Sequence, residues 1–163
     1  MKIGQGKPHE SHEPGRCRLG HRMRALIATA NQPAHDPIKR NPFLQLVGVT
    51  LEQATAGSST YSLDLRDELV NVHAAAHGGV IMSILDAAMA SAAVSANDFT
   101  TVVVTIDMSI SFMRPGVGRL TIHGKVIGGG KSISFCEAEV RDEDGAIVAK
   151  SLGSFKHRKI AIA

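Results

Sequence analysis

The chain has 163 residues, enough for one globular domain with its own core and too few for two. It has no Trp and one Tyr, so it lacks the aromatic side chains on which nucleic-acid binders stack bases, and we expect no nucleic-acid partner. The net charge of +3 comes from residues 1–36, because the rest of the chain carries equal numbers of basic and acidic side chains.

Residues 1–36 differ in composition from the rest of the chain. They are rich in Pro, Gly, His and Arg and show no sustained hydrophobic period, which predicts a basic, mobile N-terminal extension. The domain is expected over residues 37–163, and Met23 is an alternative start of the chain. The extension also holds four residues of metal-ligating types, but in no familiar zinc-site spacing, so we expect no metal there: His9, His12, Cys17 and His21.

Cysteine usage and hydropathy indicate the compartment. Cys17 and Cys136 are too few for a disulfide framework, and no apolar segment of a secretory signal follows the N-terminal charges. The longest apolar run, after His77, is diluted by Gly and Ser and has Asp86 at its middle, where a carboxylate in a membrane span costs about 2.5–3.5 kcal/mol. We therefore expect a cytoplasmic protein with no membrane partner.

The first predicted elements lie between residues 44 and 96. Residues 44–56 favour a short helix or turn that enters a strand, and alternating polarity over residues 59–65 predicts a half-buried strand. Residues 80–96 are rich in Ala and free of Gly and Pro, which predicts one long helix.

Four more strands are predicted after the helix, at residues 101–113, 119–127, 131–141 and 146–156. The turns between the last three are short and rich in Gly, and short turns join antiparallel neighbours. One long helix against an antiparallel sheet predicts the α+β class.

The strand at residues 101–113 has the cleanest alternation in the chain. At ~3.3 Å per residue it is about 40 Å long, enough to reach from the core to a partner. Strict alternation places six apolar residues on one face: Val102, Val104, Ile106, Met108, Ile110 and Phe112.

Asp86 is the one charged residue between His73 and Ala93. A carboxylate without water or a partner is unfavourable, so Asp86 requires hydrogen-bond donors or has a raised pKa. A helical wheel separates a bulky apolar side from the side of Asp86, and the small or pliant residues on the latter permit close approach by another element: Gly79, Met82, Ser83, Met89, Ala90 and Ala93. Alternatively, Asp86 accepts hydrogen bonds from Ser83 or a neighbouring strand and does no chemistry.

His77-Gly78-Gly79 stands where the long helix begins. Backbone N–H groups at a helix start lack intrahelical partners, and such donors stabilise a carbonyl oxygen as charge develops on it. The alternative is a tight turn that needs two glycines. His77 and Asp86 lie ~13 Å apart along a straight helix, so cooperation requires that His77 fold back or that two copies of the chain share a site. The small residues beside Asp86 favour two copies, as a homodimer.

Gly130-Lys131-Ser132 is not a phosphate-binding Walker loop. Lys125 stands where that motif needs Gly, and a strand follows where it needs a helix. Lys131 remains a candidate contact for an anionic group of a ligand, against a plain turn.

The order and spacing of these residues resemble a known family. Asn71, His77-Gly78-Gly79 and Asp86, at spacings of six and nine residues, are followed by "VVTIDMSISFMRPG" and "GGGKSISFCEAEVRDEDGAIVAKSLGSF". Over residues 42–156 this resembles the hotdog-fold acyl-CoA thioesterases of the PaaI type, from phenylacetate pathways. The resemblance implies a long helix wrapped by a curved antiparallel sheet and homodimers that pair into tetramers. It also implies hydrolysis of an acyl-CoA to free acid and CoA without a cofactor.

The resemblance also implies roles for individual residues. Asp86 is the catalytic carboxylate, as general base on water or as nucleophile, and the Gly78 N–H polarises the thioester carbonyl. His77 and Asn71 orient that region, and Thr105 positions the attacking water. Further substrate contacts are expected at Gly79 and Ser83, and phosphate contacts at Arg114 and Lys131.

One position departs from the family pattern. The family often has Gly midway between the Asn and the His, where this chain has Ala74 next to His73. Two other activities remain open from the sequence, namely a non-catalytic acyl-CoA-binding hotdog protein and a hotdog hydratase or dehydratase that acts on an enoyl or hydroxyacyl thioester.

Overall fold

The computed structural model describes residues 38–159, and the predicted extension at residues 1–36 lies outside them. The described chain has two α-helices, a short 3-10 turn at Asp67–Leu69 and six strands. In chain order these are α1 (Pro42–Val47), β1 (Thr50–Thr55), β2 (Ser58–Asp64), α2 (Gly78–Ser95), β3 (Thr101–Phe112), β4 (Arg119–Gly129), β5 (Ile133–Arg141) and β6 (Ile147–Lys159).

The six strands form one antiparallel sheet in the order β1-β2-β4-β5-β6-β3, and α2 packs against all six. The predicted α+β architecture, with one long helix wrapped by a curved antiparallel sheet, is confirmed. Strand β3 is an edge strand, because it pairs with β6 on one side alone. The core lies between α2 and the sheet.

Helix α2 approaches the sheet closely at Gly124. A Cβ atom on Gly124 would lie 2.6 Å from the backbone carbonyl of Ala88, so only glycine allows the helix to rest on β4 here. The predicted apolar side of α2 is buried, as expected: Ile81, Ile84, Leu85 and Ala88. Met89 and Ala93 are fully buried as well, so their prediction as part of an approachable face beside Asp86 is wrong.

Among the described residues, α2 is also the one helix long and apolar enough to cross a membrane, by length and composition only. Half of its apolar window is buried inside the domain, where Ile84 and Leu85 belong to the core. Its hydrophobicity is therefore used in packing against the sheet of its own chain.

A β-bulge in β3 overturns the predicted single apolar face. The register with β6 shifts between Thr105 and Asp107, so the alternation of side chains reverses there. Thr105 pairs with Phe155, which is buried on the helix side, whereas Val104 before it is 51% exposed on the outer side. Beyond the bulge, three of the six residues face the helix side: Met108, Ile110 and Phe112.

The loop before α2 turns at Asn71. The Asn71 Oδ1 atom accepts hydrogen bonds from the backbone N–H groups of His73 (2.8 Å) and Ala75 (3.4 Å). Inside this turn Ala74 has φ +56°, a left-handed conformation that glycine adopts without strain. The structure thus shows why glycine suits position 74, and that this chain places an alanine in the same left-handed conformation.

His157 is buried at the far end of the sheet from this loop. Its Nε2 lies 2.8 Å from Ser134 Oγ, and its Nδ1 lies 2.9 Å from Thr101 Oγ1, so it ties β6 to β5 and β3. These partners are uncharged, and burial lowers the pKa of His157 below its ordinary value.

We expect His157 to make stability depend on pH. Because the folded chain resists protonation of His157, the unfolded chain binds more protons below pH 6.5, and the free energy of unfolding falls as pH falls from there. Urea unfolding at pH 7.5 and pH 5.0 should show a smaller loss for His157→Gln than for the wild-type chain. Equal losses in both proteins would contradict this assignment.

We expect Ala74→Gly to raise the free energy of unfolding by about 0.5–1 kcal/mol, because it relieves the left-handed conformation. Ala75→Gly is the matched control, since Ala75 is buried and has no left-handed backbone, and it should lower stability by about 1 kcal/mol. Urea titration of the three proteins measures both changes. A loss of stability in Ala74→Gly would show that the turn does not hold the strain described.

Candidate active site

The first turn of α2 presents one unused backbone donor. His77 caps the helix, with its Nδ1 accepting from the Gly79 N–H (3.0 Å) and its carbonyl oxygen accepting from Val80 and Ile81. The N–H of Gly78 donates no hydrogen bond to any residue that the structure describes. The cap therefore satisfies the rest of the turn and leaves the donor that the sequence predicted for a carbonyl oxygen.

His77 is held in place by backbone bonds on both sides of the loop. Its own N–H donates to the Leu69 carbonyl (2.8 Å), and the Ala76 N–H donates to the Gly116 carbonyl (2.8 Å). Together with the Asn71 turn, these bonds fix the entry of the chain into α2. Asn71 and His77 thus both shape the region around Gly78, through the loop and through the cap respectively.

Asp86 is half-buried on α2 and receives a hydrogen bond from strand β3. The Thr105 hydroxyl donates to Asp86 Oδ1 at 2.7 Å. The Ser83 hydroxyl does not donate to Asp86, because it donates to the Gly79 carbonyl one turn earlier (2.8 Å). The sequence offered two hydrogen-bond donors for Asp86, namely Ser83 and a neighbouring strand. The structure shows that the strand supplies the hydrogen bond.

The bulge in β3 determines which residue reaches Asp86. Thr105 is the last residue before the register shift and lies on the helix side with Phe155. Strict alternation placed Thr105 opposite the whole apolar row, whereas the structure places it opposite Val102 and Val104 but on the same side as Ile110 and Phe112. The hydrogen bond to Asp86 comes from three-dimensional packing, because residues 86 and 105 are 19 apart in sequence.

Gly78 and Asp86 do not converge within one chain. Both lie on α2, eight residues apart, which corresponds to ~12 Å along the helix axis. A thioester carbonyl bonded to Gly78 is therefore out of direct reach of Asp86 of the same straight helix.

Arg114 and Lys131 are exposed and lie at opposite ends of the sheet. The Arg114 N–H bonds to Val148 near the start of β6, whereas Ile133, two residues after Lys131, pairs with Lys156 near its end. Eight residues of β6 separate these points, about 26 Å of strand. One chain alone does not bring the two cations together.

Phe112 lies beside the Gly78 donor, a neighbour that the sequence did not predict. Its ring carbons Cζ and Cε1 lie 3.7 and 3.8 Å from the position that a Cβ atom on Gly78 would take. The sequence carried no signal for this contact, because it joins the last residue of β3 to the first residue of α2.

A cavity of about 520 Å³ lies on the outer face of the sheet, away from these residues. Its lining includes the ion pairs Lys125–Glu137 and Lys150–Glu139, but neither Gly78 nor Asp86. Residues 38–159 hold no cluster of His, Cys, Asp and Glu suited to a metal ion. His9, His12, Cys17 and His21 lie outside the described residues.

Comparison with known proteins agrees with this architecture. The family model described as the thioesterase superfamily matches residues 73–149, which include Gly78, Asp86 and Thr105. A Saccharolobus solfataricus protein whose name describes it as an esterase is 33% identical to this chain over 114 residues. The match covers 69% of this chain and 79% of that protein.

Solved structures show the same fold. A conserved protein of Pseudomonas aeruginosa matches with a TM-score of 0.69 at 29% identity, over 72% of this chain and 94% of that one. The PaaI protein of E. coli, from the phenylacetic acid degradation operon, matches with a TM-score of 0.71 at 24% identity, over 82% and 94% of the two chains. The resemblance found in the sequence is therefore confirmed, and the chain belongs to the thioesterase superfamily, with the hotdog fold.

Proposed function

We propose that this protein is an acyl-CoA thioesterase, which adds water to an acyl-CoA and releases the free acid and CoA. The observation that carries the proposal is the pairing of an unused N–H at Gly78 with a carboxylate, Asp86, that is anchored by the Thr105 hydroxyl. Thioester hydrolysis needs an oxyanion donor and a group that activates or replaces water, and these residues supply both. The proposed reaction requires no resident cofactor or metal.

The carboxylate of Asp86 acts on the carbonyl carbon, either through a water molecule as general base or directly as nucleophile. The Thr105 hydroxyl donates to Oδ1 and so restricts the carboxylate to one orientation. A hydroxyl oxygen also accepts hydrogen bonds, so Thr105 can hold the water that Asp86 deprotonates.

The N–H of Gly78 holds the carbonyl oxygen as negative charge develops on it. The positive end of the α2 dipole lies at the same place and adds to this stabilisation. His77 contributes by satisfying the neighbouring donors, so that a single N–H points to the substrate, and Asn71 contributes by fixing the loop. Gly79 and Ser83 border the same first turn as substrate contacts.

Two chains are needed to complete the site, because Gly78 and Asp86 lie ~12 Å apart in one chain. Strand β3 offers a free edge of 12 residues through which a second copy can continue the sheet. Helix α2 runs antiparallel to β3, with Gly78 beside Phe112 and Asp86 beside Thr105. Antiparallel pairing of two β3 edges, with Thr105 opposite Phe112 of the partner subunit, brings Asp86 to the Gly78 N–H of the second chain.

The same pairing brings Arg114 of one chain to the end of the sheet that carries Lys131 in the other. Both side chains are exposed cations, and long enough to follow a flexible ligand. We assign them to the phosphate groups of CoA. Pairs of such dimers would form the tetramer that the family resemblance implies.

The carboxylate and its anchor are tested by four variants. Asp86→Asn keeps the shape but removes the negative charge, and should lower kcat/KM for acyl-CoA hydrolysis by about 10²-fold to 10⁴-fold. Thr105→Val should lower it by about tenfold or more, whereas Thr105→Ser keeps the hydroxyl and most of the rate. Ser83→Ala removes a proposed substrate contact whose hydroxyl bonds to Gly79 and not to Asp86, so it should raise KM more than it lowers kcat. Thiol release from a panel of acyl-CoA esters measures each rate. Equal rates for wild type and Asp86→Asn would refute the mechanism.

The oxyanion donor is tested by two substitutions at Gly78. Gly78→Pro removes the free N–H at the first position of a helix, where proline is well tolerated, and the extended backbone of His77 (ψ 136°) suits a following proline. We expect a loss of kcat of about 10²-fold or more. Gly78→Ala adds a Cβ in ordinary contact with Phe112 but keeps the N–H, so it should retain most activity. A similar loss in both variants would assign the effect to crowding.

The two-chain site is tested by mixing defects. Asp86→Asn and Gly78→Pro chains with different tags are co-expressed, and assemblies that contain both chains are purified through the two tags. Each mixed dimer has one intact site if the residues come from different chains, so activity should return to about half of the wild-type value per dimer. Mixed assemblies as inactive as both parents would place the whole site in one chain.

The assay also separates the other two activities. Tight acyl-CoA binding by calorimetry without thiol release would identify a binding protein, and loss of enoyl absorbance without thiol release would identify a hydratase. Either result would refute hydrolysis.

A further inference from the structure

Phe112 is the last residue of β3 and lies beside the unused donor of α2. It pairs with Ala149, which is fully buried, so its ring lies on the helix side of the sheet. Phe112 is nevertheless 55% exposed, and its ring lies 3.7 Å from the position that a Cβ atom on Gly78 would take.

The geometry places the ring next to the reacting carbonyl. A Cβ on Gly78 would lie 3.7 Å from the ring, and such an atom is ~2.5 Å from the Gly78 nitrogen, so ring and nitrogen are at most about 6 Å apart. A carbonyl oxygen bonded to this N–H sits ~2.9 Å from the nitrogen. An acyl chain longer than acetyl that runs from this carbonyl toward the end of β3 therefore reaches the ring.

A second exposed apolar side chain lies near the same donor. Met82 is one helical turn after Gly78, on the same side of α2, and is 45% exposed. Phe112 and Met82 thus flank the donor with an aromatic face and a flexible thioether chain. Such a surface favours an apolar group over a charged or strongly hydrated one.

We propose that Phe112, with Met82 beside it, forms the floor on which the acyl chain of the substrate lies, and that it makes the enzyme prefer apolar acyl groups longer than acetyl. This inference rests on the proposed function, since it assigns the acyl side of the same site. The acyl chain and the CoA moiety are the two groups attached to the carbonyl carbon, and they leave it in different directions. Because the CoA moiety is anionic, we assign it to Arg114 and Lys131, and we assign the acyl chain to the uncharged surface.

The test compares Phe112→Ala, Phe112→Leu and a matched control, Phe135→Ala. Phe135 is equally exposed (51%) but lies on the outer face of the sheet. We expect Phe112→Ala to lower kcat/KM for octanoyl-CoA by about tenfold or more while leaving acetyl-CoA within about twofold, because only the longer chain reaches the ring. Phe112→Leu should recover most of the octanoyl rate, and Phe135→Ala should match wild type.

A uniform loss with acetyl-CoA and octanoyl-CoA would overturn the proposal, because it would mean that Phe112 holds the Gly78 loop or contacts the CoA moiety. No change with either substrate would overturn it as well.

A binding measurement separates this inference from the proposed function. In the Asp86→Asn background, calorimetry should show octanoyl-CoA binding about tenfold weaker after Phe112→Ala, with acetyl-CoA binding unchanged. This preference is measurable even if the wild-type chain releases no thiol, in which case hydrolysis fails and the acyl floor stands. Equal effects on the two ligands would refute the acyl floor whether or not hydrolysis occurs.

Discussion

The position of α2 on the sheet is the constraint on which the candidate site depends. Gly124 lets the helix backbone approach β4 to a distance that any side chain would prevent. The helix then runs antiparallel to β3, which sets Asp86 against Thr105 and Gly78 against Phe112 at the same time. A larger residue at position 124 would displace the helix and break both contacts together. The core and the site are thus positioned by one packing contact.

Much of the fold follows from local signals that tertiary packing does not override. Gly and Pro mark the turns, alternation marks the strands, and the Ala-rich run of residues 80–96 corresponds to α2 within a few residues at each end. The bulge at Thr105 to Asp107 leaves no such signal, because alternation continues unbroken through it. Its effect is large, since it turns Val102 and Val104 outward and Met108 and Phe112 inward. The extra residue is detectable only from the register with β6.

In the candidate site, too, some features are visible in the local sequence and others arise only from tertiary packing. Asp86 stands out from the sequence because a carboxylate in an apolar helix requires an explanation, and His77-Gly78-Gly79 stands out because glycines precede a helix. The partners of these residues come from distant parts of the chain, and no periodicity links residue 86 to 105 or 78 to 112. A helical wheel also treats Met89 and Ala93 as neighbours of Asp86, although the sheet curves far enough around α2 to bury them.

The unused N–H of Gly78 lowers the stability of the free protein little and is available to stabilise a charged carbonyl oxygen in the proposed reaction. Gly78 is only half-buried, so water satisfies the donor before substrate binds and little stability is lost by leaving it without an intramolecular partner. The donor is held by a helix whose remaining first-turn groups are all bonded, so it need not reorient when charge develops on a carbonyl oxygen. His77 is central to this arrangement, because its side chain and its carbonyl oxygen together take the three donors that follow Gly78. A helix without such a cap would present several competing donors, and the position of the oxyanion would be less well defined.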